Sequence, residues 1–182
     1  MALLHSNPVR LNTPAADFSL TGTDGKTYSL KDFENQKILV IIFICNHCPY
    51  VKAVTDRFVR FQAEYGAKGV RLIGINPNDT DAYPEDSYPN MKIFAEERGI
   101  NFPYLFDGTQ ETAKKYDAVC TPDLYVYDEK RLLRYRGRFD DNWQEENKVT
   151  TNDLKKAVNC LLEGREIDFE QVPSMGCSIK WK

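Results

Sequence analysis

Two cysteines separated by two residues, Cys45-Asn46-His47-Cys48, carry the most reactive chemistry in this sequence. Sulfurs at that spacing at the start of a helix can close a small disulfide ring. The unpaired N–H groups and the dipole of a helix N-terminus favour thiolate over thiol. The pair is expected to cycle between dithiol and disulfide, with Cys45, nearer the exposed edge, attacking a substrate disulfide and Cys48, farther into the helix, resolving the mixed disulfide. A cationic or donating His47 would favour the Cys45 thiolate. The same spacing also suits half of a zinc site, but a structural site wants a second pair. Here Cys120, Cys160 and Cys177 stand apart in sequence and His5 is the only other histidine. Neither a metal nor another cofactor is expected.

The elements that must hold this motif follow from the hydrophobic pattern. Lys37 to Ile44 is apolar on both faces and rich in branched side chains, as a strand covered by helices on both sides should be, and it runs straight into Cys45. Val51, Val54, Phe58, Phe61 and Tyr65 recur at spacings of three and four and predict an amphipathic helix closed by Gly66 or Gly69. Val70 to Ile75 then predicts a second strand, completing a right-handed parallel strand-helix-strand unit. The motif therefore sits at the carboxyl edge of the sheet, where open α/β folds place their sites.

Around this unit, Phe18, Leu20, Tyr28 and Leu30 flank an Asp24-Gly25 turn and predict a hairpin flap. Asn76 to Asn90, with three prolines and several acidic residues, reads as an inserted surface loop, solvated rather than a docking face. A helix through Met91 and Phe94, a short strand at Phe102 to Phe106 and a brief helix at Ala113 and Tyr116 follow. A second hairpin turns at Asp128-Glu129-Lys130, a last helix ends at Gly164, and Cys160 lies off that helix's apolar stripe. One domain is expected over residues 1–182, with an N-terminal hairpin extension at 1–36, a core at 37–164 carrying an insertion at about 76–117, and a tail at 165–182.

Composition excludes several classes of function. With 42% hydrophobic and 28% charged residues, the 182-residue chain is not disordered as a whole. A net charge of −3, from 24 basic and 27 acidic residues, gives no field that would gather nucleic acid or anionic lipid. The longest apolar run, Ile38 to Ile44, falls far short of the roughly 20 residues that span a bilayer. Five cysteines, an odd number, do not resemble a secreted disulfide framework, and the N-terminal residues show no secretory signal pattern, so a cytoplasmic location is expected.

The chain resembles the thioredoxin-like redoxins grouped with the alkyl hydroperoxide reductase and thiol-specific antioxidant proteins. The resemblance rests on Pro14-Ala-Ala-Asp-Phe18, Phe43-Ile-Cys-Asn-His-Cys-Pro-Tyr-Val51, Asn76-Pro-Asn-Asp79, Cys120-Thr-Pro-Asp123, Gly137-Arg-Phe-Asp-Asp-Asn142 and Gly176-Cys-Ser-Ile-Lys-Trp-Lys182. It implies a thioredoxin fold, a mixed central sheet flanked by helices. It also implies a cis-proline at Pro122 facing the redox pair, with Thr121 offering backbone hydrogen bonds to substrate. The partner would be a protein or small-molecule thiol or disulfide, served by a thioredoxin-reductase-type electron donor. Cys120 is either a third thiol approaching the pair or a packed cysteine, and the tail bearing Cys177 either crosses the site or does not.

Departures from the thioredoxin pattern narrow the chemistry. Ile44 stands in place of tryptophan, Leu39 in place of a buried aspartate, and Val51 where related reductases carry glutamate. His47, Asp140, Asp141 or water must then handle the proton on Cys48. Pro49 suits the first position of a helix capped by Cys48, which invites an alternative in which Cys48 attacks peroxide. The peroxiredoxin pattern, however, asks for proline at Ile41 and threonine or serine at Cys45. A third class of function is a metal-binding or chaperone-like module using Cys45, His47, Cys48 and Cys120.

Overall fold

The computed structural model describes residues 3–8 and 10–182. Strand β1 (Leu3–His5) is followed by the hairpin β2 (Ser19–Gly22) and β3 (Thr27–Ser29), whose turn contains Gly25 at φ +83°, a conformation glycine adopts without strain. The central unit is β4 (Ile38–Phe43), α1 (Pro49–Tyr65) and β5 (Val70–Asn76), with β4 and β5 parallel from Ile38↔Val70 to Phe43↔Ile75. Then come α2 (Tyr88–Glu97), β6 (Tyr104–Phe106), α3 (Glu111–Lys115), β7 (Cys120–Thr121), and the hairpin β8 (Asp123–Tyr127) and β9 (Leu133–Arg136). Helix α4 (Asp153–Leu162) and strand β10 (Met175–Ser178) complete the described chain.

Seven strands form one mixed sheet in the order β3-β2-β6-β5-β4-β8-β9, parallel through β6, β5 and β4 and antiparallel elsewhere. The expected hairpin flap is part of this sheet, since β2 pairs with β6 through Thr21↔Phe106 and Gly22↔Leu105. An unpaired β6 edge would leave backbone groups without partners, and the hairpin supplies them.

Strand β4 shows why the sequence builds this core. Its side chains alternate between faces: Ile38, Val40 and Ile42 join one apolar cluster, while Leu39, Ile41 and Phe43 join another. Val51, Val54, Phe58 and Phe61 of α1, together with Leu154, Ala157 and Val158 of α4, cover the first face. Each of the large α1 side chains contributes about 1.5–3 kcal/mol of burial. Phe18, Phe33 and Tyr116 cover the second face.

Two expectations change here. The segment 76–90 is not a solvated loop, because Asn76, Asn78 and Asp86 are buried. Asn76 Nδ2 donates to the Asp86 carbonyl (2.8 Å) and Asn78 Nδ2 to the Asp86 carboxylate (2.7 Å), so polar residues go inside with their hydrogen bonds made. Cys160 is likewise buried rather than off the packed face of α4.

The tail does cross the molecule. Strand β10 lies between β1 and β7 in a separate three-stranded sheet, with Cys177 opposite Thr121 and Leu3. Beyond it, Lys180 N donates to Asn78 Oδ1 (2.9 Å) while its carbonyl accepts from Asp79 N (2.8 Å) and Gln110 Nε2 (2.7 Å). No helix among the described residues is long and apolar enough to cross a membrane.

Candidate active site

Pro49 determines where the cysteines sit. A proline disfavours helical geometry in the residue before it, and its own fixed φ suits the first turn of a helix. Cys48 accordingly takes the N-cap position of α1 with extended backbone (φ −65°, ψ 122°), and Cys45 belongs to the stretch that leaves β4. Cys45 was expected nearer the exposed edge; it is instead fully buried, because the 76–86 segment folds over the Cys45-Asn46-His47-Cys48 turn. Cys48 is equally buried.

The sulfur of Cys48 is the better thiolate. As a thiol it can donate to the Thr121 carbonyl at 3.2 Å. As a thiolate it is met by the S–H of Cys45, the S–H of Cys177, and the backbone N–H groups of Val51 and Cys177. The Cys45 hydrogen bond is the largest influence, and together these donors overcome burial and hold the Cys48 thiol well below the ordinary range. Burial raises the Cys45 thiol well above that range, and the neighbouring Cys48 adds to the rise. The Sγ atoms of Cys48 and Cys177 lie 3.0 Å apart, and Thr121 Oγ1 lies 3.5 Å from Cys45 Sγ.

Asp86, within the segment expected to be a solvated loop, organises the turn. One carboxylate oxygen accepts the backbone N–H of Asn46 (2.8 Å) and of His47 (3.2 Å). The other meets His47 Nδ1 (2.6 Å) and Asn78 Nδ2 (2.7 Å). The Asp86 hydrogen bond raises the His47 pKa against the opposing effect of burial, so the imidazolium is favoured. Burial works against the Asp86 charge, yet the bonds from His47 and Asn78 keep its carboxyl below the usual value. His47 Nδ1 lies 4.0 Å from Cys45 Sγ, and its ring stacks on Tyr83 at 5.4 Å. Asn46 is held in turn by the Tyr104 hydroxyl (2.8 Å) and the Glu85 carbonyl (2.9 Å).

The Thr121–Pro122 peptide is cis, as the resemblance implies, and Thr121 contacts both sulfurs of the pair. Cys120 does not join them: its Sγ points to the Pro122 carbonyl at 3.7 Å, and burial raises its pKa. The third thiol at the pair is Cys177 instead.

Asp140 and Asp141 each have partners of their own. Asp140 forms a buried ion pair with Arg57 at 2.7 Å, where burial raises its pKa against the pull of the guanidinium. Asp141 accepts from the Thr150 hydroxyl and from the backbone N–H groups of Thr150 (2.9 Å) and Thr151 (3.1 Å). Both carboxylates are occupied in holding the loop between β9 and α4.

Among the described residues, one trio could hold a metal: Cys45 Sγ, His47 Nδ1 and an Asp86 oxygen lie within 4.8 Å of one another. A cation there would have to displace the proton between His47 and Asp86. That ion-pair hydrogen bond explains the closeness of the trio without a metal.

Comparison with known proteins follows the same lines. The AhpC/TSA family profile matches residues 11–136. An uncharacterized conserved protein of known structure from Geobacillus kaustophilus is 47% identical, covering 100% of this chain and 97% of that one, with a TM-score of 0.95. The thiol-disulfide oxidoreductase ResA of Bacillus thuringiensis is 24% identical over 126 residues, which make up 66% of this chain. The chain spans 65% of that relative's length. A relative from Helicobacter pylori, provisionally named peroxiredoxin bcp, is 23% identical over 120 residues, covering 66% of this chain and 74% of its own length.

Proposed function

This chain belongs to the AhpC/TSA family and has a thioredoxin-like fold, and from that premise we propose that it is a thiol-disulfide oxidoreductase working through Cys45 and Cys48. The observation that carries the reading is the environment of Cys48, a sulfur at a helix N-cap surrounded by thiol and amide donors with Cys45 among them. We assign the first attack to Cys48, the reverse of the sequence expectation, because its N-cap position and its donors favour the charge there while burial favours the protonated form of Cys45.

The Cys48 thiolate attacks one sulfur of a partner disulfide, forming a mixed disulfide and releasing the other partner sulfur as a thiolate that takes up a proton. Cys45 then attacks Cys48 Sγ. The Cys45–Cys48 bond forms, the partner's second sulfur leaves, and the proton lost by Cys45 goes to that leaving sulfur. Two electrons pass from the dithiol to the partner. The His47 imidazolium, 4.0 Å from Cys45 Sγ, stabilises the negative charge that develops there, and Asp86 keeps it protonated. A low pKa of the Cys48 thiol stabilises the reduced form and makes the Cys45–Cys48 disulfide easier to reduce once formed.

Insulin reduction by dithiothreitol, followed as turbidity, tests the assignment. Cys48→Ser abolishes the acceleration, and Cys45→Ser, which cannot form the Cys45–Cys48 bond, falls well below the wild-type rate. Equal rates in all three proteins contradict the proposal. The N-cap thiolate also favours a second reading, peroxide reduction at Cys48. Peroxide consumption lost on Cys48→Ser would support that reading, and no consumption above the uncatalysed rate would dismiss it.

A further inference from the structure

Cys177 takes no part in the exchange described so far, yet its Sγ lies 3.0 Å from Cys48 Sγ, about 1 Å beyond a disulfide bond. We propose that Cys177 is a third redox thiol, which attacks Cys48 to release a bound partner and then hands Cys48 on to Cys45. This rests on the oxidoreductase reading and adds an internal step to it.

Two independent features place the sulfur. Strand β10 pairs with β7 so that Cys177 stands opposite Thr121, the residue whose carbonyl and hydroxyl contact Cys48 and Cys45. The preceding residue is Gly176, where a Cβ would collide with the Thr121 carbonyl and carbon. Only a glycine lets the strand come this close, so the Gly176-Cys177 dipeptide delivers a thiol to the pair. The strand is also fixed from both sides, through β1 and through Lys180 on Asn78, Asp79 and Gln110. These contacts hold Cys177 beside Cys48.

The step balances. With Cys48 in a mixed disulfide, the Cys177 sulfur attacks Cys48 Sγ, the Cys48–Cys177 bond forms, and the partner sulfur departs with the proton that Cys177 gives up. Cys45 next attacks Cys48 Sγ, forms the Cys45–Cys48 bond and transfers its proton to Cys177. The oxidant throughout is the partner disulfide, which gains two electrons.

Oxidised glutathione is the probe. Reduced Cys45→Ser protein is treated with it, quenched in acid, alkylated and mapped by mass spectrometry. The expected result is an intramolecular Cys48–Cys177 disulfide as the main product, whereas Cys45→Ser/Cys177→Ser accumulates a Cys48–glutathione adduct. That adduct should live at least about tenfold longer than in Cys45→Ser alone. Gly176→Ala in the Cys45→Ser background lowers the yield of the Cys48–Cys177 bond by moving the strand away. A Cys48–glutathione adduct in Cys45→Ser with Cys177 still open to alkylation overturns the role of Cys177 while leaving the oxidoreductase reading intact. A Cys48 that forms no adduct and no bond in any variant overturns both.

Discussion

Asp86→Asn tests the electrostatic organisation of the site most sharply. The carboxylate is fully buried and accepts from Asn46 N, His47 N, His47 Nδ1 and Asn78 Nδ2. An asparagine keeps the shape and one oxygen, so the two backbone bonds survive at neutral strength. Its amide nitrogen then faces the donor of Asn78 and a His47 that can accept only after losing its proton. Losing one charge-assisted bond and weakening the others costs about 3 kcal/mol, or about 6–12 °C in Tm for a chain of this size. The loss depends on pH. Because the folded His47 pKa is raised, its stabilisation is complete below the unfolded value of about 6.5 and fades as pH rises through the folded value. Asp86, whose pKa is lowered, contributes above about 3.9 and loses its contribution as pH falls through its folded value. Urea unfolding of the reduced protein should therefore show a larger deficit for Asp86→Asn at about pH 5.5 than at about pH 8. A deficit under about 1 kcal/mol, or one that does not change between those pH values, would refute the ion pair as the organiser of the turn.

The other predictions concern residues on either side of it. Cys45→Ala removes the largest donor to the Cys48 sulfur, so the pH midpoint of Cys48 alkylation by iodoacetamide, expected to be acid-shifted in the wild type, should move towards the ordinary thiol value of about 8.5. An unmoved midpoint would show that the charge on Cys48 does not depend on Cys45. Asp140→Ala leaves the buried Arg57 guanidinium with the carbonyls of Asn142 and Trp143 and only the exposed Glu146 carboxylate at 3.9 Å, and should cost about 3 kcal/mol in urea unfolding. Its alkylation profile at Cys48 should match the wild type; a shifted profile would return Asp140 to the proton path.

Much of the scaffold was legible because it rests on local periodicity. The doubly buried β4, the stripe of α1 and the helix start at Pro49 each follow from residues adjacent in sequence or one helical turn apart. The cis Thr121–Pro122 peptide came from resemblance, since the residues alone favour trans. What escaped reading was long-range polar and sulfur pairing. Asp86 sits among prolines and acidic residues that look solvated, and its partner His47 is 39 residues away. Cys177 meets Cys48 across 129 residues, with only the Gly176-Cys177 dipeptide to hint at a close strand. Cys45 reads as exposed in the sequence because a turn at a sheet edge is open until a distant segment covers it. Asp140 and Asp141 looked available because the guanidinium that occupies Asp140 comes from α1, and the threonines that occupy Asp141 lie 9 and 10 residues on, across the same loop.

The central claim is that Cys45 and Cys48 form and break one bond between them. Wild-type protein equilibrated across a series of reduced and oxidised dithiothreitol mixtures, then quenched, alkylated and mapped, tests it directly. The account predicts a single two-electron transition in which Cys45 and Cys48 become protected together by a disulfide within one peptide, while Cys120 and Cys160 stay alkylatable. Cys45 and Cys48 remaining open to alkylation at every mixture, or protected independently of each other, would contradict it.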